Sequence, residues 1–151
     1  STGLDHFNVD GLWLPGAAVA ALYLAVGLYT RAVEAGGIDV LLPAATRLDA
    51  TLRDMPALAL YGLTTVVAAP IGEELFYRGL LQRSLASRFN EVAVVVGVAL
   101  LFSIVHFRPV EIPGLFAIGL VFGFAALRTG RLGMAIMIHA GFNLTGILQA
   151  M

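Results

Sequence analysis

"PALALYGLTTVVAAPIGEELFYRGLL", residues 56–81, is long and apolar enough to cross a bilayer, yet it holds Glu73, Glu74 and Arg78. A spanning helix needs about 20 predominantly apolar residues. An ionisable group at the bilayer centre costs roughly 2.5–3.5 kcal/mol on insertion scales. Three such groups in one segment therefore call for partners or a use. Pro70, just upstream, lacks a backbone donor and disturbs the carbonyl four residues earlier, so a kink or break is expected there.

The rest of the chain supports the membrane reading. Of 151 residues, 59% are hydrophobic and 13% charged, against roughly 25% charged in an ordinary soluble domain. So few polar side chains cannot cover so much Leu, Val, Ala, Ile and Phe in water. Besides Pro56–Leu81, apolar segments run over Leu12–Thr30, Val92–Phe107, Ile112–Leu127 and Leu132–Met151. The expected fold is all-α: a multi-pass transmembrane helical bundle of about five spanning segments, the second broken or kinked near Pro70. The third and fourth are slightly short for a full span, and Trp13 suits an interface.

The turns at residues 86–91, 108–111 and 128–131 are tight, which implies antiparallel neighbours in an up-and-down bundle. Residues 31–55 form the long link. Their interleaved charges fit a surface-lying amphipathic helix, and an irregular loop fits them too. The chain divides into residues 1–55 (tail, first helix and link) and a core over residues 56–151. The first ten residues have no basic n-region, so a cleavable signal peptide is not expected, and the absent initiator Met points to a processed, trimmed or tagged start. The positive-inside rule is silent, with Arg83, Arg88, Arg128 and Arg131 on one side and Arg31, Arg47, Arg53 and Arg108 on the other. A net charge of −1 and no basic block argue against nucleic acid as a partner. The absence of cysteine removes disulfides, thiolate metal sites and a Cys nucleophile.

Helical phase sorts the polar residues. Residues four apart share a face, while adjacent ones point about 100° apart. Glu74 and Arg78 therefore stack as an i,i+4 ion pair with a structural role, and Glu73 points elsewhere, on the face of Tyr77. Phe102 and His106 share a face, as do His139 and Asn143. Glu73, His106, His139 and Asn143 are thus expected to converge from three helices on one cavity. Each also has a plainer reading: a lone intramembrane His as an interhelical hydrogen-bonding group, Asn143 as interhelical glue, Glu73 as a partner to a histidine. Gly119 and Gly123 form a small-xxx-small pair suited to close helix packing. Arg108 and Glu111 flank a turn, and His6 lies in the polar tail.

"EELFYR" at 73–78, "FSIVH" at 102–106 and "HAGFN" at 139–143 fit EExxxR, FxxxH and HxxxN. Three such motifs in this order, each in an apolar segment, resemble the CAAX prenyl protease and bacteriocin-processing family of intramembrane endopeptidases. The resemblance covers about residues 56–150. It implies that Glu73 is the catalytic glutamate, that His106 helps it activate water, and that His139 and Asn143 stabilise the oxyanion. Glu74 and Arg78 are motif positions of supporting role.

The residue types suit that chemistry. Peptide hydrolysis without Ser or Cys needs water, a base, and donors aimed at the developing oxyanion. Glu73, His106 and His139 would also make a His₂Glu zinc set with an open water position. That use of Glu73 leaves no obvious base, and there is no HExxH, so the metal-free scheme is favoured and zinc is the alternative cofactor. Two other functions compete. One is a proton- or ion-coupled transporter, against which no inverted repeat is visible; the other is a non-catalytic membrane scaffold or immunity protein. The expected partners are membrane lipid and a membrane-associated protein or peptide substrate. The expected location is a bacterial or archaeal cytoplasmic membrane.

Overall fold

The computed structural model describes residues 13–37 and 55–150, and every regular element within them is helical. Helix α1 is Trp13–Ala35. A long helix, α2, runs over Met55–Ala86. Helix α3 is Glu91–Ile104, a short 3₁₀ turn covers Pro109–Glu111, and α4 (Ile112–Thr129) and α5 (Gly133–Ala150) complete the bundle. Among the described residues, three helices are long and apolar enough to cross a membrane: α1, α2 and the stretch Pro109–Thr129. Helix α3 is shorter, as expected for the third segment. Helix α5 has 18 residues but is not among the three, because His139, Asn143 and Gln149 interrupt its apolar character.

The surface is inside-out relative to a soluble bundle. Leu24, Leu63, Phe76 and Leu80 point outward, while Glu74, Arg78, Gln82, Ser103 and His139 are buried. Hydrocarbon solvates the former at no cost. The latter must find their hydrogen bonds inside. The protein is an integral membrane protein by this distribution and by its spans.

Local sequence sets the ends of the helices. Asn90 caps α3, its Oδ1 accepting from the Ala93 N–H at 3.1 Å. Gly130 ends α4 at φ +63°, with its N–H bonded to the Ala126 carbonyl. Helix α3 stops at Ile104, earlier than the apolar run to Phe107 implies, because Phe107 takes φ 53°. A positive φ is uncommon for a large side chain and forces the turn. His106 therefore lies just beyond the helix. Helix α1 extends through Arg31–Ala35, residues expected in the link. Residues 38–54 of the link and the tail with His6 lie outside the described residues.

Helix α4 packs against α3 and α5, and α1 lies along α5. The glycine pair explains the closeness of the first contact. A Cβ added at Gly119 would meet the Ala99 Cα at 3.1 Å, and one added at Gly123 would meet the Val95 Cγ1 at 2.9 Å. Helix α1 is held to α5 by the Tyr23 hydroxyl, which donates to the Phe142 carbonyl at 2.8 Å, and by stacking of the two rings.

The irregularity expected at Pro70 takes the form of a widened helix, not a break. Residues Leu63–Ala68 and Leu75–Gln82 are π-helical, separated by the α-helical Ala69–Glu74. In the first π segment the Ala69 N–H bonds to the Thr64 carbonyl, five residues back. The next bond in that register would join residue 70 to the Thr65 carbonyl, but Pro70 has no N–H. The Asn143 amide supplies it, with Nδ2 donating to the Thr65 carbonyl at 2.9 Å. A neighbouring helix thus satisfies what the proline leaves open.

Candidate active site

The site grows from one face of α2. Glu74 and Arg78 pair as their i,i+4 spacing dictates, with Nη1 donating to Oε1 at 2.9 Å and both side chains fully buried. The guanidinium also donates from Nη2 to the Gly119 carbonyl at 2.9 Å. It sits over the rings of Phe102, Phe122 and Tyr77, with Cζ 4.9, 5.3 and 5.8 Å from their centroids. Such desolvated cation–π contacts are worth about 2 kcal/mol each or more. Gln82, one turn on, repeats the pattern by donating Nε2 to the Gly123 carbonyl at 3.1 Å. The two bonds, 78 to 119 and 82 to 123, fix α2 parallel to α4.

His139 enters from α5 and binds the same carboxylate. Its Nδ1 lies 3.0 Å from Glu74 Oε1. A carboxylate accepts, so Nδ1 carries the proton and donates. That leaves Nε2 facing Glu73, 3.9 Å from Oε2. The imidazole is also stacked on Phe122, centroids 4.5 Å apart at 23°. Ring orientation and tautomer are therefore both set by protein contacts. Glu73 Oε2 is buried with no hydrogen-bond partner among the described residues, in a side chain that is otherwise one-third exposed.

His106 approaches from the end of α3. Its Nδ1 is 2.6 Å from the Phe102 carbonyl, one of the carbonyls that a helix end leaves without a partner. A carbonyl can only accept, so Nδ1–H donates and Nε2 is left free. Phe102 separates the two histidines, 4.7 Å from the His106 ring and 6.1 Å from that of His139.

The structure thus brings Glu73, Glu74, Arg78 and His139 into direct apposition and sets His106 across Phe102 from them. It directs the Asn143 amide to Thr65, one turn of α5 beyond His139. Among the described residues, no group of three or more His, Asp or Glu side chains is placed to hold a metal ion. Glu73, His106 and His139 do not form such a group, and His106 lies across Phe102 from the other two.

Sequence reasoning missed Gln82 and the acceptor role of the Gly119 and Gly123 carbonyls. The signal was present: Glu74, Arg78 and Gln82 recur every four residues, and the two glycines share that spacing. Helical phase alone also sent Glu74 to Arg78 only, whereas it serves His139 as well.

Residues 55–145 match the family described as Type II CAAX prenyl endopeptidase Rce1-like. The chain belongs to that family. The match takes in α2 to α5 and so every residue of the site. The Rce1-like chain also resembles an Escherichia coli protein described as "Uncharacterized 24.3 kDa protein", at 29% identity over 146 residues. That alignment covers 93% of this chain and 64% of the relative's length. No solved structure matches.

Proposed function

We propose that this Rce1-like protein is an intramembrane endopeptidase that hydrolyses a peptide bond in a membrane-associated protein or peptide, in a bacterial or archaeal cytoplasmic membrane. Family membership supports the reaction class. The single structural observation that carries the site is the pairing of the unpartnered Glu73 Oε2 with the oriented His139 Nε2, 3.9 Å apart. One water with hydrogen bonds of about 2.8 Å can touch both atoms at once.

In this scheme the Glu73 carboxylate takes a proton from that water as its oxygen adds to the peptide carbonyl carbon. His106, with Nε2 free, is the second group proposed to hold the water. The carbonyl becomes an oxyanion, and in this scheme His139 meets it as the imidazolium, with Nδ1–H held by Glu74 and Nε2 carrying a second proton taken from solvent before substrate binds. The carbon–nitrogen bond then breaks, and the amine leaves with the proton that Glu73 had taken. Glu74 acts through His139, holding Nδ1 so that Nε2 faces the reaction. Asn143 contributes to the oxyanion site by fixing the wall around it, since its amide is bonded to the Thr65 carbonyl.

The scheme is metal-free, and elemental analysis of purified active protein tests that part: one zinc per chain would replace it. Glu73→Gln tests the whole. Cleavage of a membrane-tethered substrate should be lost while the protein still inserts and unfolds at the parent temperature. Cleavage at the parent rate would end the proposal.

A further inference from the structure

A cleft of about 330 Å³ opens at the end of the bundle formed by residues 86–91 and 130–132, and Arg78 and Gln82 form its floor. Ala86, Ser87, Glu91 and Ala126 line its walls. It approaches the ion pair from the end of α2 opposite to the His106 turn, since α3 runs from residue 91 at the cleft to Ile104 below that turn.

Three buried polar atoms lie in a row along α2 behind this cleft, none with a hydrogen-bond partner among the described residues: Glu74 Oε2, Arg78 Nε and Gln82 Oε1. Arg78 and Gln82 both bond to α4, at Gly119 and Gly123, and Glu74 pairs with Arg78, so the three atoms follow the α4-facing side of α2. Their side chains are almost fully buried, at 0%, 1% and 5% exposure. A buried polar group without a partner costs roughly 1–3 kcal/mol, and more if it is charged. Three in line, alternately acceptor, donor and acceptor, match what a file of hydrogen-bonded water supplies. The cleft has room for water as far as Arg78, since a water occupies roughly 30 Å³; Glu74 lies beyond its lining.

We infer that the cleft is the mouth of an aqueous passage that reaches the Glu74–Arg78 pair from the 86–91 end of the bundle, separate from the face on which Glu73 meets substrate. Gln82 is its inner gatepost: Nε2 ties α2 to α4 while Oε1 receives water. Glu91 at the mouth is a carboxylate open to solvent. The passage gives the Glu74–His139 pair contact with bulk water through a route the substrate does not occupy. It stands whether or not the protease scheme holds.

The chain has no cysteine, so single thiols report on the passage directly. Ala126→Cys places one in the wall, at a position 8% exposed, and Val98→Cys places a control in the α3 core, at 2% exposed. Each variant, in the 151-residue chain reconstituted in vesicles, is treated with a small charged thiol reagent that does not cross membranes, using vesicles of both orientations. The expected result is modification of Ala126→Cys from one side only, at least tenfold faster than Val98→Cys. Ser87→Cys, at the exposed rim, should be modified from that same side. An Ala126→Cys thiol that reacts no faster than Val98→Cys, while Ser87→Cys reacts, would overturn the passage. Because the readout is labelling, catalytically inactive protein serves equally well, and a failed cleavage assay bears only on the protease scheme.

Discussion

Asn143 donates to the Thr65 carbonyl at 2.9 Å, the carbonyl whose π-register partner would have been the missing N–H of Pro70. The amide of one helix thereby completes the backbone of another. This relation predicts coupling between residues far apart in sequence. Asn143→Ala leaves a part-buried carbonyl without its donor and should destabilise the protein by about 1 kcal/mol, the low end of the cost of an unmade buried bond. In a Pro70→Ala background the restored N–H can serve Thr65, and the same substitution should cost less, with a coupling of about 0.5–1 kcal/mol. Thermal unfolding of the four proteins in detergent measures it; strictly additive effects would show that Asn143 does not serve that carbonyl.

Glu74→Gln removes the charge that holds Arg78 and His139 together. Breaking a buried pair by removing one partner costs about 3–5 kcal/mol. The variant should therefore show a lower unfolding temperature and poorer recovery from membranes before any catalytic deficit is read. A Glu74→Gln protein of parent stability with no activity would exchange the roles of Glu73 and Glu74.

Glu73→Gln should behave in the opposite way. Because Glu73 Oε2 makes no hydrogen bond among the described residues and only approaches His139 Nε2 at 3.9 Å, its loss should change unfolding little. Removal of the proposed general base should lower the cleavage rate by about 10²–10⁴-fold. Parallel unfolding and turnover measurements on the two glutamine variants separate the acids.

Gly119→Ala and Gly123→Ala place methyl groups where Ala99 and Val95 already stand. Overpacking of this kind costs about 1–3 kcal/mol. Gly97, on α3, has open space at its Cβ position, and Gly97→Ala should be neutral or stabilising by up to about 1 kcal/mol. Equal behaviour of the three variants in a thermal-shift series would contradict the close α3–α4 approach.

Much of the fold was legible because membrane helices announce themselves by length and apolarity, and the tight turns left little choice of topology. Spacing also paired Glu74 with Arg78 correctly. It could not find His139 at Glu74, because contacts between helices depend on rotation and depth, which periodicity within one segment does not encode. The two π segments shift the phase of α2 in a way that no regular helical wheel reproduces. His106 fell outside its helix because the turn at Phe107 depends on a backbone conformation that its side chain does not advertise. Gln82 escaped notice because a polar residue near the end of a span looks like an ordinary border residue.

The ion pair has a bearing on how the protein is made. Arg78 and Glu74 are neighbours on one helix from the moment α2 forms, but the Gly119 carbonyl lies 41 residues later and His139 lies 65 residues beyond Glu74. At about 5–20 residues per second, the last partner emerges seconds after the first. During that interval α2 can enter the bilayer as a unit in which the Arg78 charge is offset by Glu74. The site then assembles in order of synthesis: the pair first, its seat on α4 next, and the histidine of α5 last. A nascent chain halted before α5 would hold a membrane-inserted α2 with Glu74 and Arg78 paired and no histidine at Glu74.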